Sequence, residues 1–308
     1  MNMAVEKRIH DDVIDALAVF GRVQANESLA RHTSLRIGGP ADYLVTPASA
    51  RTVPGLLSAA RALGLPITVL GNGTNTLVLD GGIRGVVIRL SACARITLLG
   101  DDTLVAEGGV PFPRLAREAM RCSLSGLEFA AGIPGTVGGA VTMNAGAHGT
   151  SLGDVLECID MATFSGDVLT LPADRLGLAY RKSSLPEGVV LTAVFSLEPG
   201  DPAQIAERTE ANLDRRNLTQ PILTPNAGSF FKNPPGDYAA RLIEAAGCKG
   251  WEEGDAAISE KHANFLVNHG RASAAQVLAL ADRVREEVAA RFDVTLEMEV
   301  KPIGEAAP

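Results

Sequence analysis

Gly126 to Gly149 reads GLEFAAGIPGTVGGAVTMNAGAHG, with further glycines at 132, 135, 138, 139 and 146. Such density costs too much backbone entropy for an ordinary core segment. Two readings stand: a chain of turns, or backbone kept bare for close approach to a flat or anionic ligand. A second glycine-rich turn, Gly71-Asn72-Gly73-Thr74-Asn75-Thr76, follows the strand-like run PITVLG. Glycines there let backbone N–H groups converge on a phosphate oxygen. The spacing is not the G-x-G-x-x-G of a dinucleotide fingerprint, no helix opens after it, and the lysine of a P-loop is missing. A structural turn and a phosphate loop are equally open at this site. Two such loops in one domain suggest a dinucleotide whose diphosphate runs between them.

Upstream, DYLVTP, TVPGLLSAARALG and PITVLG read as strand, helix and strand. Val53, Leu56, Leu57 and Ala60 carry the helical spacing, and Gly64 ends the helix. Val13, Ile14, Leu17 and Phe20 predict an N-terminal helix. Residues 86–110 alternate β-rich runs with turns. Phe112, Leu115, Ala116, Ala119 and Met120 share one helical face, with Gly126 as its stop. Residues 155–200 are strand-rich, and Pro202 marks a boundary. Beyond it, AQIAERTEANLDRRN is helical, and DYAARLIEAAG is a short helix with Asp237 as its cap. Ser273 and Gln276 form a capping box ahead of a helix carrying Val277, Ala281, Val284 and Val288. VTLEMEV alternates as a final strand.

With 308 residues, 46% of them hydrophobic and 21% charged, the chain suits two or three domains of a soluble protein. No apolar run approaches the roughly 20 residues that span a bilayer, and the charged start lacks an apolar signal core. A net charge of −8 argues against nucleic acid or acidic lipid as a partner, so an anionic ligand needs a locally basic pocket. Cys93, Cys122, Cys158 and Cys248 are scattered without a C-x-x-C pair, so no metal, disulfide framework or dithiol centre is expected. A reducing compartment with buried thiols fits them.

Four further stretches carry polar chemistry. Tyr180-Arg181-Lys182-Ser183 sets two cations beside a tyrosine, suited to a carboxylate or phosphate or simply to solvent. In Asn226-Ala-Gly-Ser-Phe-Phe-Lys-Asn-Pro, a glycine presents the Ser229 hydroxyl. Phe231 replaces the second glycine of a nucleophile elbow and no histidine partner is evident, which disfavours a hydrolase. A proton-donating hydroxyl, with Lys232 adjusting its field, remains open. Ser259-Glu-Lys-His-Ala-Asn-Phe mixes ligand-type residues with strand formers and suggests no chemistry by itself. Glu299 shares a predicted strand face with Glu297, and two solvated carboxylates are an adequate account of them.

Together the motifs resemble the MurB family, the UDP-N-acetylenolpyruvoylglucosamine reductases, from about His32 to Gly304. TSLRIGGPADYLVTP, LGNGTNTLVLDGG, the 126–149 stretch, YRKS, TQPILTPNAGSFFKNPPGDYAARLIEAAG and SEKHANFLVN follow in the family's order. The resemblance implies an α+β chain: an N-terminal helical segment over 1–30, a two-lobed FAD-binding domain of the vanillyl-alcohol-oxidase type over 31–200, and an α/β substrate domain over 201–308. FAD is then expected on Gly71, Asn72, Gly73, Thr74 and Asn75, and on Gly132, Gly135, Thr136, Gly138, Gly139, Ala140, Asn144 and Gly146. Gly71–Thr76 holds no histidine or cysteine, so the FAD is expected to be non-covalent. NADPH is the implied hydride donor, and the enolpyruvyl ether of UDP-N-acetylglucosamine the implied acceptor.

Under the same resemblance Arg181 and Glu299 polarise the substrate carboxylate and Ser229 protonates the adjacent carbon. Tyr180, Lys232 and Asn233 are implied substrate contacts, with Arg215, Lys261 and His262 as further cations or donors. The segment 247–255, GCKGWEEGD, departs from the family's usual text. The short span after YRKS resembles the shorter, type II class. A cytoplasmic enzyme of peptidoglycan precursor synthesis is implied. The competing expectation is another flavin oxidase or reductase of this fold, acting on a small alcohol or sugar.

Overall fold

The structure, a computed structural model, describes residues 3–307, with side chains from His10 onward. The chain begins with α1 (Met3–Ala18), β1 (Gly21–Ser28), β2 (Pro40–Pro47), α2 (Val53–Ala62), β3 (Ile67–Val69), β4 (Thr76–Val78) and β5 (Ile83–Ile88). It continues through β6 (Ile96–Leu99), β7 (Thr103–Glu107), α3 (Phe112–Arg121), β8 (Leu124–Ser125), α4 (Val137–Met143), β9 (Gly146–Ala147) and β10 (Thr150–Ser151). Next come β11 (Leu156–Thr163), β12 (Val168–Pro172), β13 (Gly188–Ser196), β14 (Glu198–Pro199) and α5 (Pro202–Thr219). The remainder is β15 (Asn226–Ser229), α6 (Ala239–Ala245), β16 (Glu252–Glu253), β17 (Ala256–Ile258), β18 (Phe265–Asn268), α7 (Ala274–Phe292) and β19 (Lys301–Ile303).

Two compact units divide these elements, and they interleave along the chain. One takes residues up to Glu27, Asp42–Gly71 and Gly85–Asp214; the other takes Ser28–Ala41, Asn72–Arg84 and the chain from Arg215 onward. Consecutive segments with breaks near residues 30 and 200 are therefore not how the chain compacts. The physical reason is that β4 pairs in parallel with β19, Thr76 opposite Lys301, while Leu35, Ile37 and Leu77 bury among Phe230, Val277 and Val284. Pro202 is the first residue of α5 and not a boundary, since a missing N–H costs nothing at a helix start.

In the first unit a four-stranded sheet runs β1-β2-β5-β3. The expected strand, helix and strand are β2, α2 and β3, but β5 lies between the two strands. Its run IRGVVI buries Val86, Val87 and Ile88, the burial on both faces that suits a central position. Helix α2 buries Val53, Leu56, Leu57 and Ala60 against Tyr43, Val45 and Ile88. It ends in a Schellman turn: Gly64 is left-handed (φ 68°), its N–H bonds the Arg61 carbonyl, and Leu65 N–H bonds that of Ala60.

The same unit holds the sheet β12-β11-β13-β7-β6, whose strands pair antiparallel and over which α3 packs Phe112, Leu115, Ala116 and Ala119. Helix α3 stops at Arg121, earlier than the expected Gly126. Ser123 turns left-handed (φ 58°) with its N–H on Met120 O, and Leu124 leaves the helix to pair in β8 against β14. Within the glycine-rich stretch, a reading as turns alone misses α4. Thr136 caps it, its Oγ1 accepting from Gly139 N at 3.3 Å, and left-handed Asn144 (φ 41°) ends it.

In the second unit β15-β18-β17-β16 form an antiparallel sheet. Helix α7 buries Val277, Ala281, Val284 and Val288 as its spacing predicts, behind the Ser273–Gln276 capping box. Asp237 is not the cap of α6. Tyr238 holds that place, Asp237 accepts from Tyr238 N–H, and the Asn233 Oδ1 accepts from Ala239 N at 3.1 Å. VTLEMEV is extended without being a ladder strand: Met298 makes one isolated bridge to Phe231, and the pairing strand is β19. The alternation survives as burial, with Leu296 and Val300 inside and Glu297 outside.

Asp80 joins the 72–84 segment to α7. Its carboxylate oxygens accept from Ala274 N at 2.8 Å and Ala275 N at 3.0 Å, satisfying two first-turn donors and meeting the positive end of the helix dipole. Asp80→Ala is expected to lose about 1–2 kcal/mol of stability. Urea denaturation measures this, and an unchanged midpoint would contradict the contact's role.

Candidate active site

Gly71 and Gly73 both have their carbonyl oxygens held by protein donors. Arg89 Nε donates to Gly71 O at 3.3 Å, and Ser34 donates to Gly73 O through its N–H and its Oγ, each at 3.1 Å. Oxygens that would repel a diphosphate are thereby engaged by the protein. Gly73 is left-handed (φ 59°), and a Cβ there would meet His32 O and Thr33 Cα at 2.7 Å, so only glycine fits. The sequence offered no signal for Arg89, which reads as part of the strand run VVIRL. Burial pushes its guanidinium below the ordinary value, and it supplies a local cation on an acidic chain.

Within the first unit Gly71 adjoins the 126–149 stretch: a Cβ on it would stand 2.9 Å from Thr136 Oγ1. Not every glycine there serves a ligand. Gly138 faces Gly108 O and Val190, where a Cβ would lie 3.2 Å from that carbonyl, so it admits α4 close to the sheet. The N–H groups of Val137, Gly138 and Gly139 bond Val110 O, Gly108 O and Thr136 Oγ1. Gly139 is exposed and Gly135 half-buried, and backbone without a side chain at these positions fits a flat anionic cofactor such as FAD. Ala140 is buried in the core with Val137 and Val141, and Gly132 ends the short helical turn Glu128–Gly132.

Arg181 stands at the tip of a two-residue turn closed by reciprocal bonds between Ala179 and Lys182. Its backbone is left-handed (φ 55°), a strained state for a residue with a side chain. The guanidinium lies 5.2 Å from the centre of the Tyr180 ring and donates from Nη1 to Gly146 O at 2.9 Å. Tyr180 itself is 61% exposed.

Ser229 and Glu299, some seventy residues apart, share one hydrogen-bonded frame in the second unit. Ser229 ends β15 opposite Phe265, after an irregularity in which Gly228 is left-handed (φ 76°) and its N–H bonds Asn226 Oδ1 at 2.9 Å. Such bulges re-aim a side chain off the ladder. The next residue, Phe230, accepts Glu299 N–H on its carbonyl at 2.8 Å and donates its own N–H to Asn264 O at 2.8 Å. The Asn264 side chain accepts from Phe231 N at 2.9 Å and donates to Phe231 O at 2.8 Å. SEKHANF, chemically silent in the sequence, is thus the clamp on the Ser229 segment.

The 72–76 turn reaches this frame as well. Asn75 Nδ2 donates to Glu299 O at 3.1 Å, and Ser34 Oγ lies 2.6 Å from Asn226 O. Glu299 is partly buried here, whereas Glu297 is solvent-facing and ion-paired with Lys232. The two carboxylates therefore differ, against the reading of two solvated equals. Lys232 directs its ammonium at Glu297. Asn233 holds α6, Lys261 Nζ donates to Asn217 O at 2.6 Å, and Arg215 is exposed on α5. His262 is held below its ordinary value, first by burial and then by Lys249. Arg181 belongs to the first unit, Ser229 and Glu299 to the second.

The divergent 247–255 segment is a run of turns leading into the β16–β17 hairpin: Gly247, Gly250 and Gly254 are left-handed, and Arg283 stacks 5.2 Å from the Trp251 ring centre. Cys248 within it and Cys93 in the first unit are buried thiols pushed up to about 11, chiefly by desolvation. Among the described residues no group of three or more His, Cys, Asp and Glu side chains is placed to hold a metal ion.

Residues 41–172 match the family model of an FAD binding domain, and residues 220–303 match that of the UDP-N-acetylenolpyruvoylglucosamine reductase C-terminal domain. A UDP-N-acetylenolpyruvoylglucosamine reductase of Moorella thermoacetica is 49% identical over 285 residues, covering 92% of this chain and 94% of the relative. That of Bacillus subtilis is 44% identical over 287 residues, 92% of this chain and 95% of the relative. The crystal structure of the MurB reductase from Thermus caldophilus superposes with a TM-score of 0.80 at 39% identity, covering 92% of this chain and 99% of that one. Similarity of this degree across nearly the whole chain places it in the MurB family, the UDP-N-acetylenolpyruvoylglucosamine reductases.

Proposed function

We infer that this chain catalyses the NADPH-dependent, FAD-mediated reduction of the enolpyruvyl ether of UDP-N-acetylglucosamine to UDP-N-acetylmuramate, in peptidoglycan precursor synthesis. The family membership supports the reaction. One structural observation supports the roles of its residues: Ser229 and Glu299 are fixed on one backbone frame by Phe230, with a clamp from Asn264. The glycine-rich residues described above would hold FAD, which would supply the vinyl methylene carbon with a hydride taken from NADPH.

As that carbon gains its hydrogen, negative charge moves toward the neighbouring carbon and the carboxylate. Arg181 meets the carboxylate with a permanent cation. Glu299, acting as the neutral acid, donates a hydrogen bond to the same group; a bare carboxylate there would oppose the charge. The Ser229 hydroxyl delivers its proton to the carbon between ether oxygen and carboxylate, and recovers one from solvent. An alcohol is a weak acid, so the transfer requires that the carbon already carry enolate character. Tyr180, Lys232 and Asn233 are proposed substrate contacts, and Arg89 is proposed to offset diphosphate charge beside Gly71. The absence of His and Cys from Gly71–Thr76 supports dissociable FAD.

No helix among the described residues is long and apolar enough to cross a membrane. We propose a cytoplasmic location, where the nucleotide sugar and NADPH are available. The test is anaerobic: NADPH should bleach the flavin of the purified protein, and the enolpyruvyl nucleotide should restore its colour mole for mole. Colour restored only by oxygen, after reduction by a small alcohol or sugar, would instead make the chain an oxidase.

A further inference from the structure

We propose that Asn144, assisted by the Ser183–Thr142 hydrogen bond, is the positioning residue that holds Arg181 for the substrate carboxylate. The proposal rests on the role assigned to Arg181 above and changes the role of Asn144, whose place in the glycine-rich stretch suggests a cofactor contact.

Asn144 is 7% exposed, and its two polar groups both meet the protein. Its Oδ1 accepts from Gly153 N at 2.9 Å, and its Nδ2 donates to Ala179 O at 3.1 Å. Ala179 is one post of the turn whose other post is Lys182, with Tyr180 and Arg181 at the tip. Three ties therefore run from this turn to residues 142–146. Asn144 holds Ala179, Thr142 O accepts from Ser183 Oγ at 2.8 Å, and Gly146 O accepts from Arg181 Nη1 at 2.9 Å.

A left-handed arginine at the tip of a two-residue turn relaxes unless its surroundings over-determine it. The end of α4 supplies that determination. Asparagine suits the position on two counts. It tolerates the left-handed backbone that ends the helix, and its amide both accepts from Gly153 and donates to Ala179. Aspartate meets the first requirement and keeps the acceptor, but has no donor for Ala179.

That difference makes Asn144→Asp the diagnostic variant of the holoenzyme. Its flavin spectrum at full occupancy, and its bleaching by NADPH, should match wild type. Its reoxidation by the enolpyruvyl substrate should slow by about tenfold to a hundredfold, the scale expected for a displaced reacting group. Titration of the substrate through the flavin difference spectrum should show weaker binding. Arg181→Lys should be impaired in the same half-reaction, and adding Asn144→Asp to it should change the rate by no more than about twofold, because both lesions break one arrangement. Losses that multiply would overturn the proposal, as would an altered flavin spectrum in Asn144→Asp alone. Should Asn144→Asp not fold, Ser183→Ala cuts the second tie, and the same selective loss is expected; unchanged reoxidation would overturn the brace. If Arg181→Lys itself reoxidises normally, the role of Arg181 is what fails.

Discussion

Ser229→Ala should hold FAD and be bleached by NADPH like wild type, while its reoxidation by the enolpyruvyl nucleotide slows by roughly 10²–10⁴-fold, the range of a lost general acid. The selectivity follows from where the serine sits. Its backbone pairs with Phe265 across β15 and β18, and the neighbouring Phe230 and Phe231 are held by Asn264 and by Glu299 N–H. Those bonds are made by the backbone or by other side chains, so alanine leaves the frame intact and removes only the hydroxyl. Hydride donation by NADPH needs no proton from Ser229, and the first half-reaction is spared. Stopped-flow absorbance of the flavin separates the halves. Equal reoxidation in variant and wild type would remove Ser229 from the mechanism.

Arg181→Ala should reduce the same half-reaction by roughly 10²–10³-fold, the range for deleting one preorganised group aimed at developing charge. The loss should appear in the rate at saturating substrate as well as in affinity, because charge on the carboxylate grows between ground and transition states. Two effects reinforce each other. The cation disappears, and alanine retains the left-handed strain at φ 55° without the Nη1 bond to Gly146 that helps to hold it. NADPH bleaching again serves as the internal control. A variant that lost affinity alone, with saturated turnover preserved, would reduce Arg181 to a simple binding contact.

Chain-local features were legible in the residues. The stripe Val53, Leu56, Leu57 and Ala60 gave α2 with its glycine stop, and Ser273 with Gln276 gave the start of α7. Both depend on contacts within a few residues, where periodicity and capping chemistry act. The motifs at Gly71–Thr76, YRKS and NAGSFFKNP likewise pointed to the family and its cofactor. Asp237 failed as a cap because Asn233 reaches Ala239 from outside the helix, and Gly126 failed as a stop because Leu124 leaves the helix to pair with Pro199. The second event depends on a strand partner some seventy-five residues away, which no local window contains.

What the residues alone determined, then, is the family and the cofactor, since short motifs carry the chemistry that a flavin requires; the same motifs nominate Ser229, Arg181 and Glu299 for the proposed mechanism. The tertiary structure decided the rest. It decided that residues 28–41 and 72–84 compact with the C-terminal part, that Glu299 and not Glu297 joins the Ser229 frame, and that Asn264 and Asn144 brace distant turns. Each of these is a hydrogen bond or a buried contact between segments far apart in the chain. Such pairings depend on where folding places both ends, which no local sequence pattern records.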